Sequence, residues 1–210
     1  AVDAALTAGR SLRNGARFSQ SMVRPPGHHA ERKHFGGFCY LNSSAIAAQF
    51  LSRVGTVAML DVDYHHGNGQ QDIFWHRQDV LTVSIHANPR VAYPYFSGYA
   101  EEDGEGRGKG YNVNFPLPEK LDGEQYRRTL KKAVSLIHDY QPDVIVVPLG
   151  FDPARNDPTG SWSLDSADFF ANGQMIAKLG RPTLFVQEGG YNLETLSDHA
   201  RAFFSGVLYE

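Results

Sequence analysis

A chain of 210 residues, 41% hydrophobic and 20% charged, has the make-up of one globular domain with enough mass to bury a substantial core. A formal charge of −3 without any Lys/Arg block excludes the electrostatic footprint of a nucleic-acid binder. No apolar run nears the roughly 20 residues that span a bilayer, and the lone cysteine, Cys39, excludes an internal disulfide, so we expect a soluble protein of the reducing cytoplasm that binds neither membrane nor nucleic acid.

In chain order, "AVDAALTAGRSLRNG" reads as the body of a helix closed by Gly15. It opens without Met, which leads us to expect residues upstream and a domain incomplete on its N-terminal side. Strand-like segments follow: "FSQSMV", "VGTVAMLDV", "DVLTVSIH", "YNVNFPL", "PDVIVVPLG" and "RPTLFVQEGG". Most are continuously apolar, the mark of strands covered on both faces. Between them, "LNSSAIAAQFLSR", "LDGEQYRRTLKKAVSLIHDY" and "LDSADFFANGQMIAKLG" carry helical spacing, with Asp122 and Asp165 at or near first turns, where a carboxylate suits the helix dipole. The alternation predicts one α/β domain over 1–210, a doubly wound, mostly parallel sheet with helices on both faces.

Ligands bind such sheets beyond the carboxyl ends of the strands, and the unusual residues gather there. "RPPGHHAERKHFGGFCY" follows the first strand, "DVDYHHGNG" the second, "FDPARNDP" the fifth and "EGGYN" the last. If the second strand stays extended through "DVDYHHG", Asp61, Asp63 and His65 share one face. Two carboxylates and an imidazole in a poorly solvated place call for a cation. With Asp152 as a further oxygen donor, Asp63 and His65 give a three-ligand N/O set with an open position, the pattern of catalytic zinc. An Asp/His hydrogen-bond network that only shapes the loop explains the same motif. The tandem His28 and His29 offer a general base; Asp61 could orient the first and Asn68 the second. Tyr191, in "EGGYN", could donate its phenol to a developing oxyanion, although a plain turn with a packed aromatic reads equally from those residues.

Together, "RPPGHHAERKHFGGFCYLN", "DVDYHHGNGQQDIFW", "TVSIH", "GFDPARNDP" and "EGGYN" resemble the histone deacetylase/acetylpolyamine amidohydrolase family of zinc hydrolases, in family order across nearly the whole chain. "GNGQQ" with Asn68 and "YPYFSGYAEEDGEG" are similar to the bacterial acetylpolyamine type. The resemblance implies an arginase/deacetylase-like fold and zinc on Asp63, His65 and Asp152, with Fe(II) or Co(II) as alternatives. It implies His28 paired with Asp61, His29 paired with Asn68 as general base and acid, and Tyr191 polarising the amide carbonyl. Gly37, Phe38 and Tyr93 would line the substrate tunnel, with Tyr95 or Phe96 as alternatives to Tyr93. It further implies potassium on mostly backbone oxygens of Asp61, Asp63, His65, Ser84 and Ile85, and a second potassium at Phe74, Arg77, Val80 and Tyr111. The implied reaction is hydrolysis of an acetylpolyamine or an acetyl-lysine with release of acetate. A homodimer or domain-swapped oligomer is the expected assembly, and a metal-binding scaffold without turnover is the rival reading.

Other rivals rest on single features. A two-metal ureohydrolase needs carboxylates where this chain has Gly67 and Ala154; a cysteine hydrolase would use Cys39; no G-x-S-x-G elbow supports a serine hydrolase. The acidic run from Glu101 to Gly106 reads either as a lure for a polycation or as a solvated loop.

Overall fold

The computed structural model describes residues 1–209. Its strands are β1 (Phe18–Ser21), β2 (Val57–Asp61), β3 (Val80–Ala87), β4 (Asn112–Leu117), β5 (Val144–Leu149) and β6 (Thr183–Gln187). They form one sheet in the order β1-β6-β5-β2-β3-β4, and every pairing is parallel. Six helices connect or flank them: α1 (Val2–Arg13), α2 (Ser43–Leu51), α3 (Asn68–Phe74), α4 (Gly123–Tyr140), α5 (Ser166–Ala177) and α6 (Leu196–Leu208). The sequence predicts all six strands and four of these helices; α3 and α6 are additional.

Strand residues alternate between two apolar layers because successive side chains leave opposite faces of a pleated sheet. Ala58, Leu60, Ile145, Val147 and Phe185 pack with Tyr126 and Leu130 of α4, Phe169 and Ile176 of α5, and Phe203 of α6. Val57, Met59, Val146, Leu184 and Val186 pack with Ala5, Ala8 and Leu12 of α1, with Ala45, Ala48 and Leu51 of α2, and with Phe74 of α3. Both faces are thus covered, which explains why β2, β5 and most of β6 read as unbroken apolar runs. The helix starts have a chemical cause as well. Asp122 accepts the Gln125 backbone N–H at 2.9 Å while the Gln125 side chain accepts the Asp122 N–H at 3.0 Å, and Asp165 and Asp168 repeat the exchange at α5.

One sector of the sheet departs from the apolar rule. On β3 the side chains of Thr82, Ser84 and His86 are buried, as are Asn112 and Asn114 of β4. They are tied rather than abandoned: Ser84 Oγ lies 2.8 Å from His86 Nδ1, His86 Nε2 lies 2.9 Å from the Gly98 carbonyl, and Gln71 of α3 accepts from both asparagines at 2.9 and 2.8 Å. Burial pulls the His86 imidazole down to about 4, against the opposing effect of its bonds to Gly98 and Ser84. The unfolded chain then takes up this proton more readily than the fold, so His86 makes stability fall as pH drops from about 6.5 to about 4. Replacing His86 by Gln is expected to flatten the pH dependence of urea-unfolding free energy in that window, by at most about 1.4 kcal/mol per pH unit; an unchanged slope would show that His86 titrates normally in the fold.

Candidate active site

The four strands that end in polar loops, β1, β6, β5 and β2, are four neighbours in the sheet. From β2 the chain proceeds outward through β3 and β4, then returns to place β5 on the other side of β2. That reversal opens a crevice between the ends of β2 and β5. Asp63 and His65 follow β2 and Asp152 follows β5, so both sides of the crevice supply them.

Convergence is achieved differently from the extended strand that the spacing suggests. β2 ends at Asp61, and bends follow over 63–65. Asp61 accepts the Asp63 backbone N–H at 3.0 Å, and Asp63 accepts that of His65 at 2.9 Å, so each aspartate turns the chain two residues on. Opposite, Asp152 accepts the Tyr64 N–H at 3.0 Å, and Gly189 N–H reaches Asp63 from the end of β6 at 2.8 Å. A Cβ at Gly189 would lie 2.6 Å from Asp152 Oδ2 and 2.7 Å from Asp63 Oδ2, so only glycine lets the β6 loop close over the two carboxylates.

Donor atoms of Asp63, His65 and Asp152 all lie within 4.8 Å of one another. The aspartates are 1% and 0% exposed, so water does little to screen their mutual repulsion. Burial, then the neighbouring Asp63 charge, pushes Asp152 up to about 7. His65 responds in the opposite sense: burial lowers it, but Asp152 at 3.0 Å and Asp63 at 3.3 Å prevail and raise it to about 10. The cluster therefore demands positive charge at one point. One nitrogen and two oxygens around that demand fit a divalent cation of the zinc type.

The tandem histidines divide. His28 Nδ1 lies 3.0 Å from Asp61 Oδ2 and His28 Nε2 lies 3.6 Å from Asp63 Oδ1. Burial opposes protonation there, yet the two carboxylates lift His28 well above the ordinary histidine value. His29 sits with its ring centroid 4.0 Å away and its Nδ1 2.7 Å from Asn68 Oδ1. Burial, and then the neighbouring His28 charge, hold His29 well below that value. One imidazole is kept charged and its neighbour neutral, a separation typical of acid/base pairs.

Across from them, His28, His29, Gly37, Phe38, His65, Tyr93, Thr159 and Tyr191 line a cleft of about 250 Å³. Gly37 has φ +54°, and a Cβ there would strike His29 Cδ2 at 2.3 Å, so glycine lets this wall approach the imidazole. Tyr93 packs edge-on against His29 at 4.7 Å, while Tyr95 and Phe96 are exposed and do not line the cleft. Phe38 faces Tyr191 at 5.7 Å. Burial, then the charges of Asp63 and Asp152, raise the Tyr191 phenol, which keeps it a hydrogen-bond donor.

Three acids that the sequence does not single out brace this site, Glu31 against the Asn68 amide and two more at the strand ends. Buried Glu188 accepts Gly27 N–H at 2.6 Å, His28 N–H at 3.0 Å and Ser44 Oγ–H at 2.6 Å, fixing the histidine loop from the end of β6. Asp157 accepts Tyr191 N–H at 2.7 Å and Asn192 N–H at 3.1 Å while its other oxygen accepts Thr159 N–H at 2.9 Å, tying together the loops after β5 and β6. Their signals are long-range: positions adjacent in space stand 161 residues apart in the chain for Glu188 and Gly27.

Other expectations fare differently. Ser84 stands opposite Asp61 in the β2–β3 register with Ile85 next to it; Phe74 ends α3, Arg77 N–H bonds the Phe74 carbonyl at 2.8 Å, Val80 begins β3, and the Tyr111 carbonyl accepts from Thr82 at 2.9 Å. In the acidic run, Glu102 accepts from Gly98 N–H at 2.8 Å and Gln71 at 2.7 Å, and Asp103 pairs with Lys109, whereas Glu101 and Glu105 are exposed. Burial pushes the Cys39 thiol up to about 12, which removes the thiolate a cysteine hydrolase needs. A side chain at Gly67 would meet Gln70 at 1.9 Å and Asp61 at 2.2 Å, so no second-metal carboxylate fits there.

The histone deacetylase domain model matches residues 1–207. Acetylpolyamine amidohydrolase 2 of Pseudomonas aeruginosa is 50% identical over 95% of this chain and 58% of its own length. The acetylpolyamine amidohydrolase of Burkholderia pseudomallei is 45% identical over 98% of this chain and 60% of its own length. A crystal structure of the acetylpolyamine aminohydrolase from Burkholderia pseudomallei superposes with a TM-score of 0.96 at 44% identity, covering 98% of this chain and 60% of that one. The chain thus spans somewhat under two thirds of the length of these relatives.

Asp152→Ala removes an oxygen donor and the anchor of Tyr64 N–H. It is expected to abolish retention of one equivalent of zinc after dialysis, measured by plasma mass spectrometry, whereas Tyr191→Phe retains it. Equal metal content in Asp152→Ala and wild type would overturn the assignment of this cluster as a metal site.

Proposed function

This chain belongs to the histone deacetylase family, and from that premise we propose that it hydrolyses the amide bond of an acetylated amine, releasing acetate and the free amine. The observation that carries the reading is the three-donor cluster, whose His65 lines the same cleft as His28, His29 and Tyr191. Both curated relatives described above are named for acetylpolyamines, which favours an acetylated polyamine over acetyl-lysine. The lone, buried Cys39 suits a reducing cytoplasm; among the described residues no helix is long and apolar enough to cross a membrane.

Asp63, His65 and Asp152 would hold the metal, taken here as zinc. When bound, such a cation supplies Lewis acidity, polarising a carbonyl and acidifying water. The chain's own groups do the remainder. Phe38 and Tyr93 grip the methylene stem of the amine between aromatic faces, which orients the acetyl group and sheds water from it. Neutral His29 takes the proton from the attacking water at Nε2 as the new C–O bond forms. Tyr191 donates its phenol hydrogen to the oxygen that gains charge as the carbonyl double bond opens. His28, held charged between Asp61 and Asp63, adds a fixed positive charge to the wall of the cleft. The proton on His29 then passes to the nitrogen as the C–N bond breaks, and the products are acetate and amine. Potassium joins the proposal at the backbone oxygens of Asp61, Asp63, His65, Ser84 and Ile85, and at Phe74, Arg77, Val80 and Tyr111, on the strength of the family resemblance.

The test is turnover of acetylputrescine and of a fluorogenic acetyl-lysine by the zinc-loaded chain. His29→Ala is expected to lower kcat by roughly 10²- to 10⁴-fold and Tyr191→Phe by about 10²- to 10³-fold, both with metal content intact. Zinc-loaded protein that binds acetylated amines yet releases no acetate would replace hydrolysis with a scaffold role.

A further inference from the structure

Asn68 carries the contact to His29, and an amide has two ends of nearly the same shape, one accepting and one donating. Only the accepting end can take a hydrogen from His29 Nδ1. Reversed, the side chain would offer hydrogens to Nδ1, and the imidazole would have to move its own proton to Nε2. What decides the orientation lies on the far side. Asn68 Nδ2 lies 2.7 Å from Glu31 Oε1 and 3.4 Å from the His29 carbonyl, while Asn68 Oδ1 lies 2.7 Å from His29 Nδ1. An ionised carboxylate has no hydrogen to give, so Glu31 accepts only from the amide nitrogen and repels the amide oxygen.

Glu31 is itself set in place. Its side chain is 15% exposed, and its backbone N–H bonds the His34 carbonyl at 2.8 Å. The next residue docks on α3: Arg32 N–H reaches Asp72 at 2.9 Å and its guanidinium the Ile73 carbonyl at 2.5 Å. Asn68 begins that same helix. The loop bearing His29 and the helix bearing Asn68 are therefore fixed to each other on both sides of the Glu31 contact.

We propose that Glu31 is a positioning residue: by accepting from the Asn68 amide nitrogen it turns the amide carbonyl to His29 Nδ1 and so fixes the imidazole tautomer with Nε2 free to accept a proton. The consequence for turnover rests on the hydrolase reading above; the tautomer does not. Outer partners of this kind change activity by 10- to 100-fold when removed.

The experiment uses the full chain labelled with ¹⁵N-histidine. Long-range ¹H–¹⁵N spectra report which ring nitrogen of His29 is protonated, the signal being assigned by its loss in His29→Gln. Wild type is expected to show the Nδ1–H form. Glu31→Leu, which cannot accept, is expected to admit the Nε2–H form and to lower kcat for acetylputrescine by on the order of 10- to 100-fold with KM within about twofold. Glu31→Gln, whose carbonyl can still accept from Asn68, is expected to restore the wild-type tautomer and most of kcat. In an Asn68→Asp background no amide remains to orient, so adding Glu31→Leu is expected to leave the tautomer alone. A wild-type tautomer in Glu31→Leu overturns the proposal whatever the turnover. A shifted tautomer in a zinc-loaded chain that hydrolyses neither acetylputrescine nor acetyl-lysine upholds Glu31 and sinks the hydrolase reading instead.

Discussion

Two buried carboxylates forced together at the ends of adjacent strands set the terms for everything around them. Asp63 and Asp152 meet where the strand order reverses between β2 and β5, at 1% and 0% exposure. Unlike charges in water, they have no solvent shell to separate them, and each must find compensation in the protein. His65 answers by holding a proton between them, and burial, with the charge gathered on His28 adding to it, drops the neighbouring His29 well below its ordinary value. A cation in the same position would satisfy the same demand with more charge. The donor set is thus one whose electrostatics and geometry point to a single ligand class.

The split between His28 and His29 depends on the chemistry of their partners as much as on burial. Both rings are nearly inaccessible, so burial opposes charge on each. Asp61 is an anion and stabilises an imidazolium, whereas Asn68 is neutral and supplies only direction. Asn68 therefore suits an imidazole that stays neutral, and the orientation of a neutral amide has to be imposed from outside it.

Much of this was legible in the sequence, for reasons that can be named. Strands β2, β5 and β6 are covered on both faces, so their apolar runs stand out, and Asp122 and Asp165 mark the starts of α4 and α5 through real caps. α3 spans seven residues, too few for a periodicity to declare itself, and what it buries is largely polar, as in the contact of Gln71 to Asn112. α6 carries Ala200, Phe203 and Val207 on its buried face, but Thr195 gives it no side-chain cap, so nothing announced its start after the "EGGYN" turn. The donor residues were identified from spacing, yet the extended geometry invoked for them is absent: Asp61 and Asp63 bend the chain through their own side chains. Glu188, Asp157 and Glu31 escaped notice because a carboxylate that accepts a distant backbone or side-chain N–H looks, in sequence, like any other acid.

Those overlooked acids also explain how loops can hold a site that needs fixed geometry. Loops lack the ladders that order strands, so their backbone N–H groups must be satisfied by something else. Here Asp61, Asp63, Asp152, Asp157 and Glu188 each accept at least one backbone N–H from a rim loop. Bonds from N–H to an ionised carboxylate are stronger than neutral ones, and they join loops that follow different strands. Asp63 and Asp152 therefore serve at once as members of the donor cluster and as anchors for Gly189 and Tyr64. A residue with both duties has little freedom to rotate away from its neighbour, and that shared constraint brings the donors together without an extended strand to align them.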